Sequence, residues 1–212
     1  MTDEVRIPLP DGRALDGSLD GPETGPLVVF AHGSGSSRHS PRNQYVARIL
    51  NEHGLRTLLL DLLTPEEEQL DLVTAKHRFD IPLLGRRVGL ALDWAVDELA
   101  PPVIGVFGAS TGAAAALVAA AEHPQAVGAV VSRGGRPDLA SESLPRVQAP
   151  TLLIVGGRDV TVLDLNREAL RKLGSGHELD IVAGATHLFE EPGALDEVAE
   201  LAAVWFTRHL MG

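Results

Sequence analysis

Short runs of β-branched and aliphatic residues alternate with helical patterns along most of this chain, and that alternation restricts the fold more than any other feature. It is typical of a largely parallel sheet whose strands are joined by helical crossovers. The sequence therefore predicts an α/β fold. The runs that predict buried strands are 27–31, 57–61, 103–107, 126–132, 151–155 and 178–182.

The connecting segments carry helix signals of their own. Ser40 and Pro41 supply an N-cap and a first helical residue, and Gly54 ends that helix. Near the N-terminus, two strands around the turn Pro10-Asp11-Gly12 predict a hairpin over 5–8 and 13–19. Helices are predicted at 41–53, 84–99, 111–123, 163–173 and 198–205.

No internal repeat, low-complexity linker or composition shift divides the chain, so we expect one domain spanning residues 1–212. Residues 65–80 have the weakest periodicity and predict a long loop or a short helix. That segment could serve as a lid or as a plain solvated connection.

Charge and composition exclude several classes of protein. The 18 Lys and Arg residues are outnumbered by 29 Asp and Glu, and a net charge of −11 disfavours binding to nucleic acid. The chain has no cysteine and no apolar run long enough to cross a bilayer. Its acidic N-terminus lacks the features of a secretory signal, so we expect a cytoplasmic protein that does not enter membranes.

The pentapeptide Gly108-Ala109-Ser110-Thr111-Gly112 lies between a predicted strand and an alanine-rich predicted helix. This G-x-S-x-G pattern in that context is typical of a nucleophile elbow, in which a sharp turn exposes the serine hydroxyl. A glycine-rich helix entry is the structural alternative. Partners for the serine decide between the two interpretations.

A serine hydroxyl needs an imidazole to accept its proton and a carboxylate to orient that imidazole. Asp159 follows a predicted buried strand, and His187 follows the last strand, so both should lie at the same edge of the sheet as Ser110. Rival bases are His39 and His77, on loops that do not follow a strand. The rival acid is Asp138.

Two backbone amides are predicted to stabilise the oxyanion of the transition state. One belongs to Thr111, and the other to Ser34 in the loop that follows the strand at 27–31. His32 is predicted to orient that loop. The loop lacks the ending of a phosphate-binding loop, and no metal-ligand spacing is present, so neither a cofactor nor a metal is expected.

The segments HGSGSS, GASTG, GGRD and GATHLFEEPGAL, in that order, resemble the α/β-hydrolase superfamily and specifically its dienelactone-hydrolase-like group. The resemblance covers nearly the whole chain and implies an eight-stranded, mostly parallel sheet with helices on both faces. It also implies Ser110 as nucleophile, Asp159 as acid, His187 as base and the amides of Ser34 and Thr111 as oxyanion donors. Dienelactone hydrolases themselves use a cysteine nucleophile, so the resemblance implies cleavage of carboxylic esters here.

About eighteen residues separate Ser132 from Thr151, which is too few for the helical cap that many relatives insert at this point. The pocket is therefore expected to be shallow or covered by loops. Arg133 and Arg136 lie at the same sheet edge and are candidates for binding a substrate carboxylate. Structural ion pairs are the alternative role for both arginines.

The sequence therefore predicts a serine hydrolase that cleaves small-molecule esters, lactones or thioesters through an acyl-enzyme intermediate. An acyltransferase or perhydrolase using the same three residues is an enzymatic alternative. A non-catalytic binding protein on a hydrolase scaffold is the alternative from another class. The oligomeric state stays open, with a homodimer as one option.

Overall fold

The computed structural model describes residues 2–212, which are built around an eight-stranded sheet. Across the sheet the strands are ordered β1-β2-β4-β3-β5-β6-β7-β8. Strand β2 is antiparallel to β1 and β4, whereas β3 to β8 are mutually parallel. The strands are β1 (Asp3–Pro8), β2 (Ala14–Asp20), β3 (Leu27–Ala31), β4 (Arg56–Leu60), β5 (Ile104–Ala109), β6 (Val127–Arg133), β7 (Thr151–Gly156) and β8 (Glu178–Val182).

Helices cover both faces of this sheet, as predicted. Alternate residues of one strand point to opposite faces, so Val29 packs in the apolar cluster with α3, α4 and α5, whereas Phe30 packs in the cluster with α1 and α6. The ring of Phe30 stacks on that of Phe107 at 4.7 Å between centroids. The helices are α1 (Pro41–Glu52), α2 (Pro65–Thr74), α3 (Ile81–Leu99), α4 (Thr111–Glu122), α5 (Val160–Leu173) and α6 (Ala194–Leu210).

Most element boundaries differ from the predicted ones by one to five residues, and β5 and α5 are two examples. Strand β5 continues to Ala109, two residues beyond the predicted end at 107, because Gly108 and Ala109 still pair with β6. Helix α5 begins at Val160, three residues before the predicted start. Val160 is 62% exposed, so the helix begins at a residue that is not part of its buried apolar face.

The two segments that could have covered the site are short. Residues 65–80 contain α2, which begins at a capping box formed by Thr64 and Glu67, so the short-helix alternative is correct. Between β6 and β7 the chain forms two 3₁₀ turns, Pro137–Ala140 and Leu144–Arg146, and no cap domain. Within residues 2–212, no helix combines the length and the apolar character needed to cross a bilayer.

The turn from β5 into α4 is closely packed against the end of β3. A Cβ atom at Gly112 would lie 2.3 Å from the carbonyl oxygen of Ala31 and 2.4 Å from that of His32. A Cβ at Gly108 would lie 2.4 Å from the Cα of Ala113. Only glycine fits these two positions, because each neighbour is main chain that cannot rotate away.

His32 ties the loop after β3 to the segment after β4. Its Nε2 accepts a hydrogen bond from the Leu62 amide at 3.1 Å, so the ring proton lies on Nδ1, which donates to the Gly33 carbonyl at 2.8 Å. Burial lowers the pKa of this imidazole. The prediction that His32 orients this loop is confirmed, and the ring does so in its neutral form.

We expect Gly112→Ala to destabilise the protein by about 2–3 kcal/mol, because its methyl group meets rigid backbone. Gly89→Ala is the matched control, since Gly89 is also helical but its Cβ would meet the side-chain ring of His123 and no main chain. That control should destabilise the protein less than Gly112→Ala, because a side chain can shift more readily than backbone. Urea unfolding of both variants measures the difference, and equal stabilities would contradict the packing argument.

The free energy of unfolding should fall as the pH is lowered from 7 to 5, partly because of His32. Its pKa is lowered in the folded protein, so the unfolded chain binds the proton more readily below the unfolded value of about 6.5. His32→Gln should show a smaller decline than the wild type in urea titrations across this range. Identical declines would show that His32 does not contribute to the pH dependence.

Candidate active site

Ser110 occupies a strained turn between β5 and α4. Its backbone has φ 52° and ψ −119°, a conformation that a residue with a side chain rarely adopts. The Ser110 side chain makes no capping hydrogen bond to α4, although it stands at the N-cap position. Its hydroxyl is therefore free to face the loops that follow the neighbouring strands.

His187 lies on the loop between β8 and α6, which is held against the end of β7. A Cβ at Gly156 would lie 2.5 Å from the Ala185 carbonyl oxygen, so the close approach of this loop requires glycine. Phe189 is 2% exposed and anchors the loop in the α1–α6 cluster. The Thr186 amide donates to the Glu191 carboxylate at 3.1 Å, so the segment around His187 is fixed on both sides.

Ser110, His187 and Asp159 meet at the carboxyl edge of the parallel strands. The distance from Ser110 Oγ to His187 Nε2 is 3.3 Å, and that from His187 Nδ1 to Asp159 Oδ2 is 2.6 Å. Asp159 stands at the N-cap of α5 but makes no capping bond, because its carboxylate is turned toward the imidazole. A proton on Nδ1 leaves Nε2 as the acceptor that faces the serine hydroxyl.

The rival acid is paired elsewhere, and the rival bases do not contact Ser110. Asp138 accepts two hydrogen bonds from Arg136, at 2.9 and 2.8 Å, so its carboxylate is already paired. Among the described residues, the rings of His39 and His77 form no hydrogen bond to Ser110. Within residues 2–212, His187 is the histidine whose ring lies within hydrogen-bonding distance of Ser110.

The two predicted oxyanion donors lie close together, but only one of them lacks a hydrogen-bond acceptor within the protein. The Thr111 amide is in the first turn of α4 and donates no hydrogen bond within residues 2–212. The Ser34 amide already donates to the Thr111 hydroxyl at 2.9 Å. The Thr111 side chain thus accepts the hydrogen bond of the second donor, a role that no sequence pattern indicates.

The two candidate arginines have different environments. Arg136 forms the structural ion pair that was its alternative role, since its Nε and Nη2 atoms donate to Asp138, and this hydrogen bonding raises its pKa. Arg133 is 7% exposed and forms no ion pair within the described residues. A structural ion pair therefore accounts for Arg136 and not for Arg133.

A small cavity of about 60 Å³ adjoins the oxyanion donors. Its lining includes Ser34 and Thr111, four leucines (Leu62, Leu63, Leu72 and Leu84) and three charged residues (Glu68, Asp71 and Arg78), and it includes neither Ser110 nor His187. No group of three or more His, Asp and Glu side chains suited to a metal ion occurs in the part of the chain that the structure describes.

Comparison with known proteins adds the family. The model of the dienelactone hydrolase family matches residues 88–210. A crystal structure of dienelactone hydrolase from Anabaena variabilis is 54% identical to this chain, with a TM-score of 0.96 over 99% of this chain and 98% of that one. Est1E from Butyrivibrio proteoclasticus is 17% identical with a TM-score of 0.82 and covers 99% of both chains, so it shares the fold.

Curated relatives in two strains of Mycobacterium tuberculosis are 57% identical over 188 residues and carry the provisional name of phosphoribosyl transferase. The match covers 88% of this chain but 42% of each relative, so the chain spans less than half their length.

The family match extends over more than half of the chain, and the Anabaena structure superposes on nearly all of it. This chain therefore belongs to the dienelactone hydrolase family and is an α/β hydrolase.

Proposed function

We propose that this hydrolase cleaves carboxylic esters of small acids through an acyl-enzyme intermediate on Ser110. The observation that carries the proposal is the continuous chain of contacts from Asp159 through His187 to the Ser110 hydroxyl. An unpaired serine is a poor nucleophile at neutral pH, and this arrangement supplies both a base and a group that orients the base.

In the first half of the reaction, His187 Nε2 accepts the Ser110 proton as the oxygen attacks the ester carbonyl. The Asp159 carboxylate stabilises the imidazolium that forms and keeps the ring in the correct tautomer. His187 then returns the proton to the departing alcohol. In the second half, His187 deprotonates a water molecule, which attacks the acyl-serine and releases the acid.

The oxyanion of each tetrahedral intermediate is stabilised by the region between Ser34 and Thr111. The Thr111 amide is an open donor, and the Ser34 amide can be shared between the Thr111 hydroxyl and the oxyanion. Since the Thr111 hydroxyl accepts from Ser34 and donates no hydrogen bond within residues 2–212, its proton is free for the oxyanion. We therefore add the Thr111 hydroxyl to the two predicted amides.

The size of the acyl group is limited by the cavity beside these donors. A volume of about 60 Å³, lined by Ser34, Thr111, leucines and the charged residues Glu68, Asp71 and Arg78, leaves room for a short acyl chain only. The short connection between β6 and β7 leaves the alcohol side without a helical cap. Compact acids with varied alcohols are therefore the favoured substrates.

The transferase name of the mycobacterial relatives does not change this proposal. It belongs to proteins of which this chain covers 42%, and the proposed nucleophile, base and acid all lie within the present chain. An acyl transfer to an acceptor other than water would use the same acyl-serine. Product analysis with a competing alcohol separates acyl transfer from hydrolysis.

We expect the wild type to hydrolyse 4-nitrophenyl acetate and butyrate, and Ser110→Ala to lose about 10⁴-fold or more in kcat. Release of 4-nitrophenol under steady-state conditions provides the measurement. Circular dichroism of the variant is the control for folding. Equal turnover by the two proteins would rule out Ser110 as the nucleophile.

A fluorophosphonate probe tests the alternative of a non-catalytic binding protein. The folded wild type should form a covalent adduct at Ser110, because the probe reacts with an activated serine. Peptide mass spectrometry locates the adduct, with Ser110→Ala as the control. A folded wild type that forms no adduct would favour the binding protein.

The Thr111 hydroxyl is tested by Thr111→Val, which keeps the side-chain shape and both amides. We expect kcat to fall about 10- to 100-fold with little change in KM, since a donor acts mainly in the transition state. Thr111→Ser should retain most of the activity. An increase of kcat in Thr111→Val would instead mean that the hydroxyl competes with the oxyanion for the Ser34 amide.

A further inference from the structure

Helix α2 turns its polar side inward and its apolar side toward solvent. Its buried side chain is Asp71, which is 4% exposed, whereas Leu72 and Val73 are 66% and 86% exposed. Leu70 is also exposed, at 48%. A surface helix ordinarily does the opposite, because the burial of an apolar face supplies most of its stability. This inverted arrangement requires an explanation.

Ion pairs fix the helix in this orientation. Glu67 accepts a hydrogen bond from the buried Arg87 of α3 at 2.8 Å and contacts Arg13 of the β1–β2 turn at 2.9 Å. One turn later, Asp71 accepts from Arg78 Nε at 2.7 Å. A rotation of α2 that buried its leucines would break these pairs and leave the guanidinium of Arg87 buried without an acid. The apolar side of α2 therefore faces outward in the folded chain.

The exposed apolar side chains of this segment are concentrated in a short stretch. Leu70, Leu72, Val73 and Phe79 are all exposed, and together they are called the α2 patch. The other exposed large apolar residues within 2–212 are well separated from one another along the chain. Clustered apolar side chains on a surface usually mark an interaction site, whereas single ones are normal. The α2 patch therefore indicates a surface that a partner covers.

Charges at the two ends of the α2 patch indicate which partner fits. The first turn of α2 contains Glu66, Glu67 and Glu68, and its last turn contains no basic residue. Lys76 follows the C-terminal end of the helix and is exposed, and its ammonium group forms no hydrogen bond or ion pair within residues 2–212. The surface is thus negative at one end, apolar in the middle and positive at the other end.

Such a surface is complementary to a copy of itself. When two identical helices pack antiparallel across a two-fold axis, the first turn of one lies beside the segment that follows the other. Glu66 would then approach Lys76 of the partner subunit. Between these charges, Leu70 would pack on Val73 of the partner subunit. The antiparallel arrangement also places opposite ends of the two helix dipoles side by side.

We propose that two copies of this chain form a homodimer through the α2 patch, with the two helices antiparallel. Burial of the apolar side chains favours association, and the two pairs of Glu66 with Lys76 fix its direction. A nucleic acid or an anionic membrane would be repelled by the acidic first turn and by the net charge of −11. The contact is smaller than that of a permanent dimer, because a helix of 10 residues is about 15 Å long, so we expect a dissociation constant of about 10–100 μM.

Dimer formation would also complete one wall of the cavity beside the oxyanion donors. Leu72 belongs to the α2 patch and lines this cavity together with Ser34 and Thr111. Since Leu72 is largely exposed, this wall is in contact with water in a single subunit. Helix α2 of the second copy would cover Leu72 and exclude that water. This consequence, unlike the dimer itself, rests on the proposed ester hydrolysis at Ser110.

Sedimentation velocity from about 5 to 500 μM protein measures the association, and the wild type should shift from monomer to dimer in this range. Val73→Asp should stay monomeric, because it places a charge in the centre of an apolar contact. Val204→Asp is the matched control, since Val204 is an exposed valine of α6 outside the α2 patch, and it should associate like the wild type. A wild type that stays monomeric, or a Val73→Asp variant that associates equally well, would overturn the proposal.

Charge reversal tests the antiparallel direction. Glu66→Lys alone and Lys76→Glu alone should each weaken dimerisation about 3- to 10-fold, because each homodimer then holds two pairs of like charges. An equimolar mixture of the two variants should recover most of the association, since a dimer of one copy of each holds two pairs of opposite charges. Circular dichroism of each variant is the control for folding. A mixture that associates no better than the separate variants would rule out the antiparallel contact.

Cross-linking provides a second measurement of the contact. The chain has no cysteine, so Val73→Cys introduces a single thiol in the α2 patch and Val204→Cys introduces a control thiol outside it. A cleavable bismaleimide should join two copies of Val73→Cys much faster than two copies of Val204→Cys. Equal rates for the two variants would contradict the interface.

The cross-linked Val73→Cys dimer then reports on the cavity at enzyme concentrations where the free chain is monomeric. Its ratio of kcat/KM for 4-nitrophenyl butyrate to that for the acetate should rise about 3- to 10-fold, because the second copy shields the longer acyl chain from water. Cleavage of the cross-link should reverse the change, and an unchanged ratio would refute the contribution to the cavity. Absence of hydrolysis by both forms and by the wild type would instead refute the proposed function, and sedimentation would still decide on the dimer.

Discussion

The turn that gives Ser110 its positive φ is possible because the residues two positions before and after it, Gly108 and Gly112, have no side chains. Gly112 lies against the Ala31 carbonyl oxygen and Gly108 against the main chain of α4, so the strand, the turn and the helix pack at backbone distance. This close contact fixes the serine hydroxyl at the sheet edge. The loop after β3 depends on it too, since a Cβ at Gly33 would lie 3.2 Å from the Ser110 Cβ. The oxyanion region is thus formed by the same packing that exposes the hydroxyl.

Several side chains near this turn lack the hydrogen bonds or ion pairs that would stabilise the fold. Asp159 and Ser110 both stand at helix N-caps, where their side chains could bond to free amides, and neither does so. Their oxygens face His187 instead. Arg133 is buried without an acid, although Arg87 shows that the fold can provide one. Strained backbone and unpaired polar groups reduce stability, and the rest of the fold must offset that loss. Several such features together at one edge of a sheet are typical of a functional site.

Much of the site could be predicted from the sequence, since the positions of the strand ends are enough to bring these residues to one edge of the sheet. Ser110 and Asp159 each follow a run of buried apolar residues, and parallel strands bring their carboxyl ends to one edge. His187 follows β8, which was predicted to be buried but lies at the edge of the sheet with only Val182 buried. The environments of Arg133 and Arg136 could not be distinguished in this way. Arg136 pairs with Asp138, two residues along the chain, whereas the nearby charge that acts on Arg133 belongs to Arg42. The Thr111 hydroxyl was missed because its hydrogen-bond partner, Ser34, lies 77 positions earlier.

The sequence by itself determined the α/β class, the order of strands and helices, and the residue types at the end of each strand. These follow from local patterns: apolar runs, helix caps and turn residues report on their own segment of chain. Only the tertiary structure decided which polar groups are paired and which are left open. The contacts of Ser34 with Thr111 and of Asp159 with His187 join distant segments, and the isolation of Arg133 depends on everything packed around it. Hydrogen bonds and charge pairs act over a few ångströms in space, and one sequence does not specify those distances.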